Sequence, residues 1–131
     1  MPKGKGWTAL TPDEQVWTGP SWRPEEKVRQ IVELPLVTQM ANVRGHLWKF
    51  PPGGQGRKHL HKEQEEIFVV LEGTFTMTLG EEGEAVALPP RSVIVLSPNT
   101  PIHICNDSAG DAILFAFGSP PIQGDGVILE G

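Results

Sequence analysis

The sequence is poor in residues that mark several classes of protein. It contains a single cysteine, Cys105, and no tyrosine. One cysteine excludes an intramolecular disulfide, so nothing in the sequence indicates an oxidising compartment. The lack of tyrosine removes the usual phenolic acid from the candidate catalytic groups.

Long apolar runs are also missing. No stretch approaches the ~20 apolar residues that a membrane-spanning helix needs. Residues 1–15 contain two lysines near their start but lack the apolar core of a signal peptide. We therefore predict a cytoplasmic protein without a membrane partner.

Positive charge is scarce as well. Eleven Lys and Arg residues stand against sixteen Asp and Glu residues, which gives a formal net charge of −5 at pH 7. A sequence-independent nucleic-acid binder needs a basic face, so the composition argues against a nucleic-acid partner.

The sequence also lacks a Gly-x-Ser-x-Gly turn, a phosphate-binding loop that ends in Lys-Ser/Thr, and a Cys-x-x-Cys pair.

Glycine and proline, in contrast, are abundant, with fifteen and thirteen of the 131 residues. They separate short apolar runs, and this arrangement predicts a single domain with many turns and few helices. Residues 74–79 alternate most regularly, with Phe75, Met77 and Leu79 on one face and threonines on the other. Eight or more closely spaced short strands predict an all-β sandwich or barrel. The predicted strands are 44–50, a strand around 59–61, 67–71, 74–80, 85–88, 93–96, 103–105 and 113–117, with one or two in 27–40 and an edge strand at 127–129.

Three parts of the chain are expected: an N-terminal arm (1–26), the β domain (27–118) and a tail or edge strand (119–131). The arm is polar, rich in proline and glycine, and carries Trp7, Trp17 and Trp22. These tryptophans need a surface to dock on, either an opening of the β domain or a dimer contact. An exposed sheet edge and this arm together predict a homodimer.

The strongest chemical signal lies in the acidic, histidine-containing stretch after the prolines at 51 and 52. His59 and His61 are one residue apart, so on a strand they share a face with ~7 Å between them. An acidic cluster follows, and two imidazoles with a nearby carboxylate suit a borderline divalent metal. Glu65 competes with Glu66 as the carboxylate on chemistry alone, because neighbours on a strand face opposite sides.

The spacing of this stretch resembles the first motif of the cupin family. Gly53, five residues, His59, one residue, His61, four residues, Glu66, six residues and Gly73 match that motif at every position. The distance to the last glycine selects Glu66 as the carboxylate.

A second cupin motif is present in weaker form. Ser92 and Thr100 stand where the family has glycine, and Pro98 falls at its expected position. His103 occupies the position of the family's last metal ligand. The closing asparagine is displaced, with Asn106 one residue early.

This resemblance implies a double-stranded β-helix, the jelly-roll barrel of cupins, around one divalent transition metal. It leaves Fe, Mn, Ni, Cu and Zn open. Three imidazoles and one carboxylate would leave coordination positions for water or substrate. The implied metal ligands are His59, His61, Glu66 and His103.

We expect an apolar pocket around this metal. His46 is assigned to its wall rather than to the metal. Cys105 shares a strand face with His103 and so could approach the site, although a buried structural thiol is the more frequent case. Arg57 and Lys58 flank the metal strand and are the best candidates for contacting an anion. The predicted pocket residues are His46, Trp48, Phe50, Phe68, Met77, Cys105 and Phe115.

A small cupin with a complete ligand set implies a mononuclear metal-dependent enzyme that acts on a small organic molecule. An oxidoreductase of the dioxygenase type is the leading hypothesis. Metal-assisted isomerisation or decarboxylation of a hydroxy- or keto-acid is the rival within the enzyme class. A non-catalytic ligand-binding cupin is the third alternative; regulatory cupins carry a helix-turn-helix domain, for which residues 1–26 are too short.

Overall fold

Two antiparallel sheets make up most of the computed structural model, which describes residues 2–38 and 40–129. One sheet has the strand order β3-β4-β11-β6-β9 and the other β12-β5-β10-β7-β8; β1 and β2 form a separate hairpin. The strands are β1 Lys3–Gly4, β2 Trp7–Thr8, β3 Gln30–Glu33, β4 Arg44–Phe50, β5 His59–His61, β6 Glu65–Glu72, β7 Phe75–Leu79, β8 Glu84–Leu88, β9 Val93–Leu96, β10 Ile102–Asn106, β11 Ala112–Ser119 and β12 Gly126–Ile128.

From β4 onward the chain passes back and forth between the two sheets. The strands β4, β6, β9 and β11 belong to one sheet, and β5, β7, β8, β10 and β12 belong to the other. Among the described strands after β4, β7 and β8 are the one consecutive pair within a sheet, and they form a hairpin. This crossing pattern is the predicted double-stranded β-helix, so the fold class is confirmed.

The core lies between the inner faces of the two sheets. On β7, Phe75 and Met77 are fully buried, while Thr76 and Thr78 lie on the opposite face, as their alternation predicts. Phe50 packs edge-on against Phe75 with 5.2 Å between the ring centroids. Burial of each such side chain contributes roughly 1.5–3 kcal/mol, so this pair is a major stabilising contact.

Of the one or two strands predicted in the segment 27–40, the described residues contain one, and a helical turn follows it. The strand β3 ends at Glu33, and the turn α1 spans Leu34–Val37. Pro35 therefore lies in the first turn of a helix, where its missing N–H costs no hydrogen bond. Neither α1 nor the turn at Pro12–Glu14 is long or apolar enough to cross a bilayer, and the described part of the chain has no other helical segment.

The N-terminal arm docks on the edge of the sheet that contains β3. Thr18 pairs with Ile31 through two backbone hydrogen bonds. The backbone N–H and hydroxyl of Ser21 donate hydrogen bonds of 2.9 and 2.7 Å to the Glu33 carboxylate. These contacts place Trp22 at the mouth of the barrel, as expected if the arm covers an opening.

A tight turn after β6 explains the last glycine of the histidine-containing motif. Gly73 has φ +72°, which favours glycine, and a Cβ built there would lie 2.7 Å from the Cβ of Ala112. A side chain at this position would therefore require the backbone of β11 to move.

Candidate metal centre

The strands β5 and β6 bring two histidines and one glutamate together at one end of the barrel. Ligand atoms of His59, His61 and Glu66 all lie within 4.8 Å of one another. The Nε2 atom of His61 is 3.4 Å from the Glu66 carboxylate. Glu65 is exposed on the other face of β6, so strand alternation selects Glu66 here as the motif spacing does.

A backbone carbonyl determines the tautomer of His59. The Nδ1 atom lies 2.8 Å from the carbonyl oxygen of Arg57. Because a carbonyl oxygen only accepts hydrogen bonds, Nδ1 carries the proton and Nε2 carries the lone pair. Metal-bound histidines in proteins are oriented in this way by their second ring nitrogen.

Asp125 faces the same ring nitrogen of His61, but at a distance too long for a hydrogen bond. Its carboxylate lies 3.6 Å from the Nδ1 atom and is 2% exposed. Burial raises the pKa of Asp125, but backbone N–H donors of Gln64 and Glu63, at 2.9 and 3.0 Å, more than compensate and leave that pKa below its ordinary value. An ionised Asp125 therefore faces one side of the ring while Glu66 faces the other. Nothing in the sequence pattern marks this residue, which lies in the Gly/Pro-rich tail.

The electrostatics of the cluster suit a cation. Burial, with a smaller contribution from His59, lowers the pKa of His61 to about 4, so the imidazole is neutral at pH 7 and its nitrogen can ligate. Burial raises the pKa of Glu66 to about 7, although Arg44 opposes that shift. A nearby cation stabilises the ionised form of a buried carboxylate more than that of an exposed one, because water no longer screens the two charges. The donor set therefore fits a divalent metal.

His103 does not join this cluster. It lies on β10 opposite Thr78, between Ile102 and Ile104, which are 1% and 6% exposed and point into the barrel. Neighbouring side chains on a strand point to opposite faces, so His103 points away from the interior. The residue of β10 that pairs with His59 is Ile102. Among residues 2–38 and 40–129, the cluster thus contains three ligand residues rather than the four implied by the resemblance.

The reason is the asparagine at the end of β10. Asn106 is 0% exposed, and its amide donates hydrogen bonds of 2.9 Å to the carbonyl oxygens of Phe50 and Gly110. This buried network fixes the inward face of the strand at even-numbered positions. The asparagine that is displaced by one residue in the sequence was the available sign that His103 falls on the other face.

A cavity of about 560 Å³ opens beside the cluster. Four predicted pocket residues, His46, Trp48, Phe50 and Phe68, line it. The first three share the inward face of β4 because they are two residues apart.

Three other predicted pocket residues do not line this cavity. Met77 is buried in the core on β7. Cys105 shares the outward face of β10 with His103, and its thiol lies 3.2 Å from Asp107. Phe115 lies on the face of β11 away from the core and borders a different depression, against Leu47 and Met40.

The charged lining differs from the predicted anion contacts. Arg57 borders the cavity and Lys58 does not. Arg23, Arg29 and Arg44 also line it, and they come from the arm, the residue before β3 and the start of β4. Sequence reasoning did not select these three because they are separated along the chain and share no spacing pattern.

His46 is a buried imidazole in the cavity wall. Neither ring nitrogen has a hydrogen-bond partner, and burial, together with Arg44, lowers its pKa to about 4. The ring of Trp22 covers it, with 5.4 Å between the centroids. His46 is therefore neutral at pH 7 and retains the capacity to donate one hydrogen bond and accept another.

Comparison with known proteins supports the architecture. The family model of the cupin domain matches residues 46–118. Among solved structures, KdgF from Halomonas sp. is 23% identical with a TM-score of 0.71, and the match covers 88% of this chain and 96% of that one. The polyketide cyclase RemF from Streptomyces resistomycificus is 16% identical with a TM-score of 0.74, covering 91% and 89%. A sugar phosphate isomerase from Silicibacter pomeroyi is 17% identical with a TM-score of 0.70, covering 86% and 76%. No curated protein matches the sequence significantly.

Proposed function

The chain belongs to the cupin domain family, and from this premise we propose that it is a mononuclear metal-dependent enzyme that acts on a small organic molecule. The observation that carries the proposal is the cluster of His59, His61 and Glu66 within 4.8 Å at the wall of a cavity of about 560 Å³. A ligand set that borders such a cavity gives a small substrate access to the metal.

Each polar residue of the site has a definite task in this proposal. His59, His61 and Glu66 would hold the metal, and the negative charge of Asp125, 3.6 Å from Nδ1, favours this orientation of the His61 ring. A divalent metal bound here supplies Lewis-acid polarisation of a substrate oxygen or, if it is iron, redox chemistry with dioxygen. The apolar faces of Trp48 and Phe68 exclude water from the space in front of the cluster.

Oxygen-dependent cleavage or oxidation is the leading reaction. Two histidines and one carboxylate, with the remaining positions open, are the ligand set of non-haem Fe(II) oxygenases. His103, which would have made a fourth protein ligand, points away from the cavity, and this arrangement leaves more room for substrate and dioxygen together.

Isomerisation or decarboxylation of a hydroxy- or keto-acid is the second candidate. It is supported by His46, a neutral imidazole in the cavity wall with both ring nitrogens unpaired. Such a group can move a proton between neighbouring substrate atoms, provided that the metal lowers the pKa of the substrate C–H. The solved structures of similar fold include proteins named as an isomerase and a cyclase, which is consistent with chemistry that does not need dioxygen.

Metal identification followed by oxygen-uptake measurements tests the proposal. Elemental analysis of the purified protein should find close to one transition metal per chain. Catechols, thiols and keto-acids are then screened with an oxygen electrode against a His61→Ala control. Iron with substrate-dependent oxygen consumption supports the oxygenase. Zinc or nickel without oxygen uptake supports the second candidate, and a protein that takes up none of Mn, Fe, Ni, Cu or Zn overturns the metal site.

A further inference from the structure

The cavity has a charge opposite to that of the protein. The chain carries a net charge of −5, yet the cavity is lined by four arginines and only two acidic side chains, Glu66 and Asp125. Cavities lined by charge of one sign concentrate ligands of the other sign. The four arginines are Arg23, Arg29, Arg44 and Arg57.

Arg44 lies closest to the metal cluster in the sheet. It pairs with Gly118 of β11, and Gly118 pairs on its other side with Glu66 of β6. All three positions are on the inward face, so Arg44 and Glu66 are two strand spacings apart, ~10 Å between Cα atoms. The side-chain amide of Gln64 covers Gly118, so it lies between Arg44 and the cluster, and the Arg44 guanidinium lies near Trp22 instead.

No carboxylate within residues 2–38 and 40–129 pairs with Arg44 at ion-pair distance. Its guanidinium lies 5.9 Å from the ring of Trp22, at the cavity mouth. The neighbouring inward residue of β4 is His46, whose ring nitrogens are also unpaired. A half-buried guanidinium next to an unpaired imidazole is a site that lacks an acceptor.

Arg29 and Arg23 extend the positive region along the cavity. Arg29 is 7% exposed, is held by Glu26 at 2.8 Å and lies 4.5 Å from the ring centroid of Trp48. The Arg23 side chain is 20% exposed, and its Nε atom lies 4.0 Å from the Glu25 carboxylate, a long ion pair. The charge of Arg29 is therefore balanced by a close carboxylate, which also fixes its side chain. The charge of Arg23 is less well balanced and remains available to a ligand.

We infer that Arg44, with support from Arg23, forms a subsite for an organic oxyanion, a carboxylate or a phosphate ester, whose uncharged part lies against Trp22 and Trp48. The planar guanidinium fork matches both oxyanions. The two indoles, 6.1 Å apart and edge-on, form an aromatic wall. The subsite deepens the proposed function by naming a substrate class. Anion binding itself does not depend on the metal, because the arginines and the residues His59, His61 and Glu66 are separate groups of side chains.

Three probes of similar shape test the subsite: benzoate, phenyl phosphate and benzyl alcohol. Their affinities for the purified protein are measured by calorimetry at low ionic strength. At least one anion should bind more tightly than benzyl alcohol, and Arg44→Gln should weaken that anion about tenfold or more, with benzyl alcohol unchanged. Arg44→Lys should restore part of the loss. The anion with the larger loss identifies carboxylate or phosphate as the group recognised.

Arg91→Gln is the matched control, because it removes the same charge at an exposed position outside the cavity lining. It should leave all three affinities unchanged. Equal binding of the anions and benzyl alcohol, or anion binding that survives Arg44→Gln, overturns the inference. Anion binding that disappears with EDTA but tolerates Arg44→Gln assigns the anion to the metal and also overturns it. A protein without metal that still shows the Arg44-dependent preference refutes the proposed function and leaves the subsite standing.

Discussion

A single position on β10 determines how many potential ligand residues the candidate metal centre contains. Ile102 faces the interior and pairs with His59, while His103, the next residue, faces outward. An apolar side chain thus occupies the place that a fourth ligand would need. The same alternation places His59 and His61 on a common face. It therefore brings two histidines into the site and keeps His103 out of it.

Replacing the two histidines separately distinguishes three ligands from four. His61→Ala should weaken metal binding by more than the ~10–100-fold that follows loss of an outer hydrogen-bond partner, since it removes a ligand outright. His103→Ala is the control and should retain full metal content. Elemental analysis after dialysis gives the metal content, and circular dichroism checks the fold. Loss of the metal in His103→Ala would show that this side chain turns inward.

Buried His46 should make the protein sensitive to acid. Its pKa is about 4 in the folded protein, against an ordinary value of 6.5. Between pH 4 and pH 6.5 the unfolded chain therefore binds a proton that the folded protein does not. The corresponding stability is present above pH 6.5 and is lost as the pH falls toward 4, by up to about 3 kcal/mol. Urea unfolding of the wild type and His46→Gln at pH 7 and pH 4.5 should show the smaller loss in the variant. Equal losses would place His46 in contact with water.

At the scale of strands, the register of β4, β11 and β6 assembles the charged end of the cavity. Gly118 lies between Arg44 and Glu66, and Ala116 lies between His46 and Phe68. Gly118 makes room for the side-chain amide of Gln64, Ala116 lines the open cavity, and larger side chains of both neighbouring strands form its walls. The shape of the cavity thus follows from which residues of three strands are paired.

The turn after β6 offers a test at the same scale. Gly73 and Gly80 have φ of +72° and +76°, but only Gly73 has neighbours that a Cβ would strike. Alanine at either position should cost about 1 kcal/mol of backbone strain. Gly73→Ala should cost at least 1–3 kcal/mol more, because Ala112 and its backbone must move. Thermal unfolding of both variants measures the difference, and equal melting temperatures would refute the steric explanation.

At the scale of the whole molecule, the sheet containing β6, β9 and β11 has apolar residues on both faces. Its outer face exposes Leu71, Val93 and Val95, with 47%, 58% and 64% of their surface accessible. Neighbouring strands contribute Val69 and Phe115, which are half-buried. Extended apolar surfaces of this kind mark interfaces between proteins.

We predict that this face, rather than the sheet edge and the N-terminal arm, forms the contact of the homodimer. Light scattering after size exclusion should give a mass near twice the chain mass of 14.3 kDa. Val95→Lys should shift it to one chain, because two copies of the charge would oppose each other across a symmetric interface. The control Glu84→Lys lies on β8 of the other sheet and should remain dimeric. A wild-type protein that is monomeric at micromolar concentration would contradict the prediction.

The sequence alone predicted the fold class and the three residues that cluster in the candidate metal centre. Alternation of apolar residues is set by backbone geometry, and His59, His61 and Glu66 lie within eight residues on two consecutive strands. Little chain separates them, so their relative placement depends on local structure that the pattern encodes.

Tertiary structure decided the rest of the site. The face on which His103 lies follows from the buried Asn106, the orientation of His61 from Asp125 in the tail, and the positive cavity from Arg23 and Arg44. These residues meet only because the two sheets have a particular strand order and register. A shift of one residue moves a side chain to the opposite face, and such a register is set by hydrogen bonds between strands that are distant in sequence.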